Sequence, residues 1–191
     1  WPHLRADWSK YKGHWIAVLT LGSIGTVTFA AFGALGVQYT TATNASLINS
    51  ITPIFCLLFS VLVLHTRVTG QYIVALTLSL AGMLCITTHG RIEALLALDF
   101  NHGDLLILLA SVGWAAYTVG LRWKPQGVNG IAFLFIVSSI GLVLWAPFYV
   151  IEIASGRTMS VNWRTVVAAL SLGLFPSVVA YIGWNYAVPR V

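Results

Sequence analysis

Six long apolar segments, separated by short polar breaks, dominate the chain. A helix needs about 20 apolar residues to cross a hydrocarbon core of roughly 30 Å, and each segment is long enough. The alternating ten-residue patterns that would mark barrel strands are absent. We therefore predict an all-α membrane protein, a polytopic bundle of six transmembrane helices, at about residues 14–37, 42–65, 70–89, 104–122, 130–150 and 165–188.

The composition indicates that lipid surrounds most of the chain. Apolar residues make up 58% of the 191 residues and charged residues only 8%, against roughly 45–50% and about 25% in an average soluble domain. These values exclude a soluble globular domain, a disordered chain and a disulfide scaffold. Cys56 and Cys85 fall inside apolar runs, where free cysteine behaves as a small hydrophobe.

The basic residues are distributed unevenly between the breaks, which predicts an orientation. If the N-terminal segment is cytoplasmic, only Arg91, Arg157 and Arg164 lie outside. The other seven basic residues then lie inside: Arg5, Lys10, Lys12, Arg67, Arg122, Lys124 and Arg190. We expect both ends of the chain to face the cytoplasm, in a plasma membrane and specifically a bacterial inner membrane. The net charge of +5 then reflects orientation in the bilayer and not a nucleic-acid partner.

The spans lack the residues that an intramembrane enzyme would need. No acidic or basic residue lies deep inside a span, since Asp104, Arg122 and Arg164 are at span ends. The sequence has no H-E-x-x-H or G-x-S-x-G stretch, and no two of its five histidines share metal-ligand spacing on one helix face. We expect no enzymatic activity, no cofactor and no metal. Because an intramembrane carboxylate would be the natural proton-coupling group, a coupling residue must lie elsewhere, or the protein is a facilitator.

The second predicted helix carries neutral polar groups. Asn44 and Asn49 must face protein or a wet cavity, because an amide in lipid needs partners. Each could line a substrate cavity or serve as a hydrogen bond between helices; for Asn44, which is nearer the helix end, the second role is favoured. Pro53 frees a backbone carbonyl near Asn49 and is a point where the helix can bend.

The fourth and sixth predicted helices add aromatic groups. Trp114 and Tyr117 lie in the middle of the fourth span, where they could stack on a ligand or pack in the bundle. In the sixth span, small residues such as Ala169 and Gly173 favour close helix packing. Farther along the same ridge the side chains become large and polar, which favours a cavity, and a proline adds a second bending point: Tyr181, Trp184, Asn185 and Pro176. The small residues of the first span are expected to pack helices: Gly22, Gly25, Ala30, Gly33 and Gly36.

Several motifs together resemble the EamA-type branch of the drug/metabolite transporter superfamily. The strongest is V-Q-Y-T-T-A-T-N-A-S-L-I at 37–48, followed by Thr52-Pro53. The G-D-L-L run at 103–106, leading to W-A-A-Y-T at 114–118, resembles the opening of the family's second half. The G-L-F-P-S run at 173–177, with Tyr181 and Trp184-Asn185, resembles its eighth helix. One departure is His65-Thr66-Arg67, where the family commonly has an acidic residue before the basic one.

The resemblance implies ten helices in two inverted repeats around a central cavity, with alternating access. On that register the chain is a fragment that contains helices three to eight. Residues 1–90 would be the C-terminal part of the first EamA-like repeat, and residues 91–191 the N-terminal part of the second. A weak internal sequence repeat agrees with two related halves. Leu21-Gly22 and Leu172-Gly173 each precede the end of a span by the same number of residues.

We therefore expect an integral membrane secondary transporter that exports small metabolites such as amino acids or drugs, with a small-molecule substrate and the lipid bilayer as its partners. The main alternative is a non-transporting helical scaffold or assembly subunit whose polar residues hold helices together. A channel is less favoured, because the polar residues form local clusters and no continuous stripe. If six helices were the whole protein, a homodimer would be needed to complete a path.

Overall fold

The computed structural model describes residues 2–88, 100–156 and 160–188, without the side chains of residues 2–6, Thr26 and Pro176. A polar helix, α1 (Pro2–Gly13), comes first. The described residues then form six helices that are long and apolar enough to cross a membrane: α2 (Trp15–Gly36), α3 (Ala42–Leu64), α4 (Gly70–Thr87), α5 (His102–Trp123), α6 (Gly130–Ala154) and α7 (Trp163–Ala187). The predicted six-helix membrane fold is confirmed, with its largest boundary difference at the end of α6. Arg91, Arg157 and Arg190 lie outside the described residues, so the sides of the membrane predicted for them remain predictions.

Three of the six helices are interrupted. In α2 the segment Ser23–Thr28 is π-helical, and in α7 the segment Gly173–Val179 is π-helical. The first segment begins directly after Leu21-Gly22, and the second begins at the glycine of Leu172-Gly173. In α3 the α-helical hydrogen-bond pattern breaks at Ser50 and Ile51 and resumes at Thr52. A π turn leaves backbone carbonyls with altered partners, and such turns are common at functional sites.

Polar side chains fix where several helices begin. The Thr41 hydroxyl accepts the backbone N–H of Asn44 at the start of α3. The side-chain oxygen of Asn129 accepts two backbone N–H groups at the start of α6, from Ile131 at 3.0 Å and Ala132 at 3.1 Å. Such N-caps satisfy donors that have no partner inside the helix.

The chain packs as two compact units, which divide it differently from the two predicted sequence repeats. The first unit comprises Trp1–Ser23 and Gly120–Val191. Within it, the first part of α2 packs on α6: a Cβ at Gly22 would lie 2.9 Å from the Cβ of Ile140. Phe133 and Val137 of α6 are fully buried. The division into residues 1–90 and 91–191 remains a prediction about the sequence.

In the same unit, α1 is bonded to the loop between α5 and α6. The Lys10 ammonium donates to the Asp7 carboxylate at 2.7 Å and to the carbonyl of Gly127 at 2.9 Å. The other carboxylate oxygen of Asp7 accepts the backbone N–H of Asn129 at 3.2 Å. Gly127 has a φ of +65°, a conformation that favours glycine. The end of α1 and this loop therefore lie on the same side of the unit.

The second unit comprises Ile24–Val119. Here glycines on both helices bring the rest of α2 against α5. The ring of Tyr117 occupies the space beside Gly25, and a Cβ at Gly113 would lie 2.5 Å from Cγ2 of Thr28. A Cβ at Gly103 would likewise lie 2.7 Å from the carbonyl oxygen of Gly36. Close packing through small residues is how membrane helices associate.

The packing expected at the other small residues has a mixed outcome. It is confirmed for Gly22, Gly25 and Gly36. A Cβ added at Gly33 or Gly173 meets no atom within 4 Å among the described residues, so close packing at these two positions is not found in this part of the chain. Gly33 is only partly buried, and Gly173 lies on α7, which is largely exposed.

Candidate functional site

A polar pair joins α3 to α5 in the second unit. The Ser111 hydroxyl donates a hydrogen bond of 2.9 Å to the side-chain oxygen of Asn49. Ser111 is fully buried, whereas Asn49 is exposed. Asn49 thus takes part in a hydrogen bond between helices and also presents a polar group at the surface of the unit. The two interpretations of Asn49 left open by the sequence are compatible.

One turn further along α5, three aromatic rings lie in a row, each tilted against its neighbour. The Trp114 ring lies 4.7 Å from the Phe29 ring of α2 and 5.6 Å from the Tyr117 ring. Trp114 is half-buried, and Tyr117 is completely buried. The arrangement fixes Trp114 between two neighbours while part of its surface remains accessible. Tyr117 is placed as a packing residue against Gly25. The sequence did not single out Phe29, because its contact with Trp114 depends on how α2 and α5 pack.

The first turn of α5 holds a carboxylate that the sequence had placed only at a span end. Asp104 is 3% exposed. Its backbone N–H donates to the Asn101 side chain at 3.1 Å, and the Asn101 backbone N–H donates to the Asp104 carboxylate at 3.0 Å. This reciprocal pair is a capping box with Asp in the place of Glu. The spacing N-x-x-D at 101–104 is the sequence signal that could have found it.

Two donors from the α2–α3 hairpin complete the environment of Asp104. The Thr40 hydroxyl donates to one carboxylate oxygen, and the Asn44 side-chain amide donates to the other at 3.3 Å. Asp104 therefore ties the hairpin to the start of α5. Asn44 therefore forms a hydrogen bond between helices, which is the role that the sequence favoured.

Two adjoining cavities lie beside Asp104. The larger has a volume of about 660 Å³ and the smaller about 310 Å³. Asp104, Phe100, Ile48 and Ile51 line both. Asn101 and His102 contribute polar groups to the larger cavity, and Asn44 and Ser50 contribute them to the smaller one; the remaining lining residues are aliphatic. A predominantly apolar cavity of this size with few polar groups is typical of a small-molecule site.

The other predicted contact residues belong to the first unit. Asn185 is 1% exposed, and its backbone carbonyl accepts a hydrogen bond of 3.4 Å from the Lys124 ammonium. That ammonium also lies 5.4 Å from the centre of the Phe133 ring. Tyr181 is half-buried, and Trp184 is 38% exposed. Of the two aromatic residues, Trp184 has the more accessible side chain.

The two prolines lie at or beside helix interruptions. Pro53 is in the first turn of the part of α3 that begins at Thr52, where the missing proline N–H costs no hydrogen bond. Pro176 lies within the π-helical segment of α7, and its side chain is outside the description. Bending at either position during function remains a prediction.

Two stretches of the chain, residues 3–88 and 101–191, match the family described as EamA-like transporter family. The chain belongs to this family. The family is one of transporters and not of enzymes, and the six long apolar helices among the described residues are those of a multi-pass membrane protein.

Curated relatives of the EamA-type chain are distant but match almost all of it. The uncharacterized transporter YyaM of Bacillus subtilis is 24% identical over 96% of the chain and 60% of its own length. An uncharacterized transporter of Archaeoglobus fulgidus is 27% identical over 98% of the chain and 64% of its own length. A protein of Streptantibioticus cattleyicolor named probable terminal-alkyne amino-acid exporter is 22% identical over 89% of the chain and 55% of its own length. The chain thus spans about three-fifths of the length of these relatives. No solved structure matches it.

Proposed function

We propose that the EamA-type protein is a secondary transporter that exports small metabolites such as amino acids by alternating access. Family membership supports transport as such. The amino-acid class is supported by the name of the Streptantibioticus relative. The scaffold alternative has less support, because the named relatives are transporters.

The observation that carries the proposal is the row of polar and aromatic groups along α5. Ser111 bonds Asn49 across the helix pair, and Trp114 keeps an accessible surface one turn away. Neutral polar and aromatic groups suit a small zwitterionic or aromatic solute better than a highly charged one. We propose Asn49 and Trp114 as substrate contacts in the second unit, with a supporting role for Asn44 and Tyr117.

In the first unit, we propose Trp184 as the main contact, with Tyr181 beside it on the same helix. Asn185 is also kept as a proposed contact; it is buried, and its backbone carbonyl accepts a hydrogen bond from Lys124. Pro53 and Pro176 are proposed as the points at which α3 and α7 bend between inward-open and outward-open states.

The proposed location is a plasma membrane, a bacterial inner membrane in particular, with both ends of the chain cytoplasmic. The bonds from Lys10 and Asp7 to the α5–α6 loop support one part of this orientation. They join the end of α1, which carries Lys10, to the loop that follows Lys124, which agrees with the expected clustering of basic residues on one side of the membrane. A homodimer is kept as a proposal, to be tested by cross-linking in the membrane.

Flux into inside-out vesicles that contain the full protein tests the substrate class. A labelled apolar amino acid is the probe, with unlabelled amino acids and phosphorylated sugars as competitors. Competition by amino acids alone is expected. Preferential competition by the phosphorylated solutes would overturn the proposed class.

Substitutions test the contacts against the scaffold alternative. Asn49→Leu and Trp184→Leu are expected to lower flux at least several-fold while the protein still folds. Trp163→Leu is the matched control, because Trp163 begins α7 and is 71% exposed. Loss of folding or assembly in the first two variants, with no separate effect on flux, would favour the scaffold.

A further inference from the structure

Asp104 is a buried carboxylate without a cationic partner among the described residues. The ion pair within 4.0 Å that those residues contain joins Lys10 to Asp7. Asp104 instead accepts hydrogen bonds on both oxygens from Thr40, Asn44 and Asn101. Ionised aspartate is an acceptor only, and these three donors match it. They leave its negative charge uncompensated by any opposite side-chain charge in the described part of the chain.

A buried charge is costly unless it is both hydrogen-bonded and paired. The first turn of α5 offsets part of this cost, because an acidic group is stabilised at a helix N-terminus. A cationic ligand would add a counter-charge that the described side chains do not supply. Asp104 lines both cavities, so a ligand in either one lies beside this residue.

The other residues that line the cavities indicate which chemical groups such a ligand has besides its cationic group. The walls opposite the carboxylate are mostly aliphatic: Ile48, Ile51, Leu105 and Leu108 in the larger cavity, with Phe100, itself 75% exposed, shared between the two. Asp104 and His102 are the two titratable side chains that line the larger cavity. A volume of about 660 Å³ accommodates a molecule much larger than an ion.

We infer that the cavity beside Asp104 binds an amphipathic amine, with its ammonium group on the Asp104 carboxylate and its apolar tail against Ile51, Leu105 and Phe100. A metal ion fits less well, because the described residues contain no group of three or more His, Cys, Asp or Glu that could hold one. An anion would be repelled by the carboxylate. The inference concerns equilibrium binding and is independent of the proposed transport.

Isothermal titration calorimetry on the full protein in detergent tests the inference at neutral pH. The probe is phenethylamine, and 2-phenylethanol is the neutral match with the same ring and chain length. The wild-type protein is expected to bind the amine about tenfold more tightly than the alcohol, a difference of about 1.4 kcal/mol. Equal binding of the two, or no binding of the amine, would overturn the inference.

Asp104→Asn removes the charge and keeps an oxygen that can accept from Thr40. It is expected to abolish the preference for the amine and to leave the affinity for the alcohol unchanged. Asp7→Asn is the matched control, since it removes a carboxylate of the other unit and is expected to keep the preference. Undiminished amine binding by a folded Asp104→Asn protein would contradict the assignment.

A second variant keeps the experiment decisive if Asp104→Asn does not fold. Leu105 lines the larger cavity and is 57% exposed, so Leu105→Trp fills the apolar wall and leaves the carboxylate in place. It is expected to weaken binding of both probes about equally. Amine binding that a tryptophan at this position does not weaken would also overturn the inference. Vesicle flux is measured separately, so loss of transport with retained amine binding would count against the proposed function alone.

Discussion

Ser111 and Asn49 are joined by a hydrogen bond of 2.9 Å between α5 and α3, with the serine completely buried and the asparagine exposed. Removing either group removes the bond, but only Ser111→Ala leaves the accessible amide in place. We expect each of Ser111→Ala and Asn49→Ala to lower the free energy of unfolding by about 0.5–1.5 kcal/mol. Unfolding by SDS titration, followed by circular dichroism, is the measurement.

The double variant separates this bond from other effects of the two substitutions. In membrane proteins such bonds have a mean coupling energy of about 0.6 kcal/mol. The double variant is therefore expected to lose less than the sum of the two single losses. Strict additivity would mean that the hydrogen bond does not form in the membrane.

The second prediction concerns the stability of variants at the glycines where α2 packs against α5. Gly113→Ala would place a Cβ 2.5 Å from Cγ2 of Thr28, and Gly25→Ala would drive one into the Tyr117 ring. Overpacking of this kind costs about 1–3 kcal/mol, so both variants are expected to unfold at lower SDS concentration.

Gly33→Ala is the matched control on the same helix as Gly25. A Cβ there meets no described atom within 4 Å. Alanine favours a helix over glycine by up to about 1 kcal/mol, so this variant is expected to be neutral or stabilised. If all three alanine variants behaved alike, close packing of α2 on α5 would not be the reason for the glycines.

Tyr11, in α1 and outside the spans, predicts a pH effect. Burial and, to a smaller degree, the Asp7 carboxylate raise the pKa of Tyr11 from about 10 to about 12. Its hydroxyl is buried and has no hydrogen-bond partner among the described residues. The folded protein therefore keeps this proton in a range where the unfolded chain has lost it. The contribution of Tyr11 to stability is intact below pH 10 and is lost as the pH rises to about 12.

The ultraviolet absorbance of tyrosinate measures this titration. The difference between the wild-type protein and Tyr11→Phe is expected to have its midpoint near pH 12. Asp7→Asn is expected to move that midpoint downward, because it removes the neighbouring negative charge. A midpoint at the ordinary value of tyrosine would show that Tyr11 is exposed in the membrane-embedded protein.

The cap of α6 gives a local test of helix termination. The Asn129 side chain accepts the backbone N–H groups of Ile131 and Ala132. Asn129→Ala is expected to cost about 1 kcal/mol of unfolding free energy, and Asn129→Ser to recover most of it, because serine also caps well. The same SDS titration measures both. A serine variant as weak as the alanine variant would show that Asn129 acts through another contact.

The number and position of the spanning helices were predictable, because 20 consecutive apolar residues leave few alternatives in a chain with so few charges. The capping of α3 by Thr41 and the placement of Asn49 beside another helix also follow from local chemistry. The burial of Asp104 was missed, since it depends on Thr40 and Asn44, about 60 residues earlier in the chain. The contact between the Phe29 and Trp114 rings was missed for the same reason. Periodicity describes one helix at a time, whereas these contacts require knowing which helices meet.

The π-helical segments in α2 and α7 have a consequence for the length of related sequences. A π turn contains one residue more than an α turn over the same rise, so it is geometrically equivalent to a one-residue insertion. Removing one residue from Ser23–Thr28 or from Gly173–Val179 would turn the segment into ordinary α-helix and keep both ends of the span in place. Aligned members of the family are therefore expected to tolerate single-residue gaps at these two positions. A gap elsewhere in a span would instead rotate half of the helix away from its neighbours.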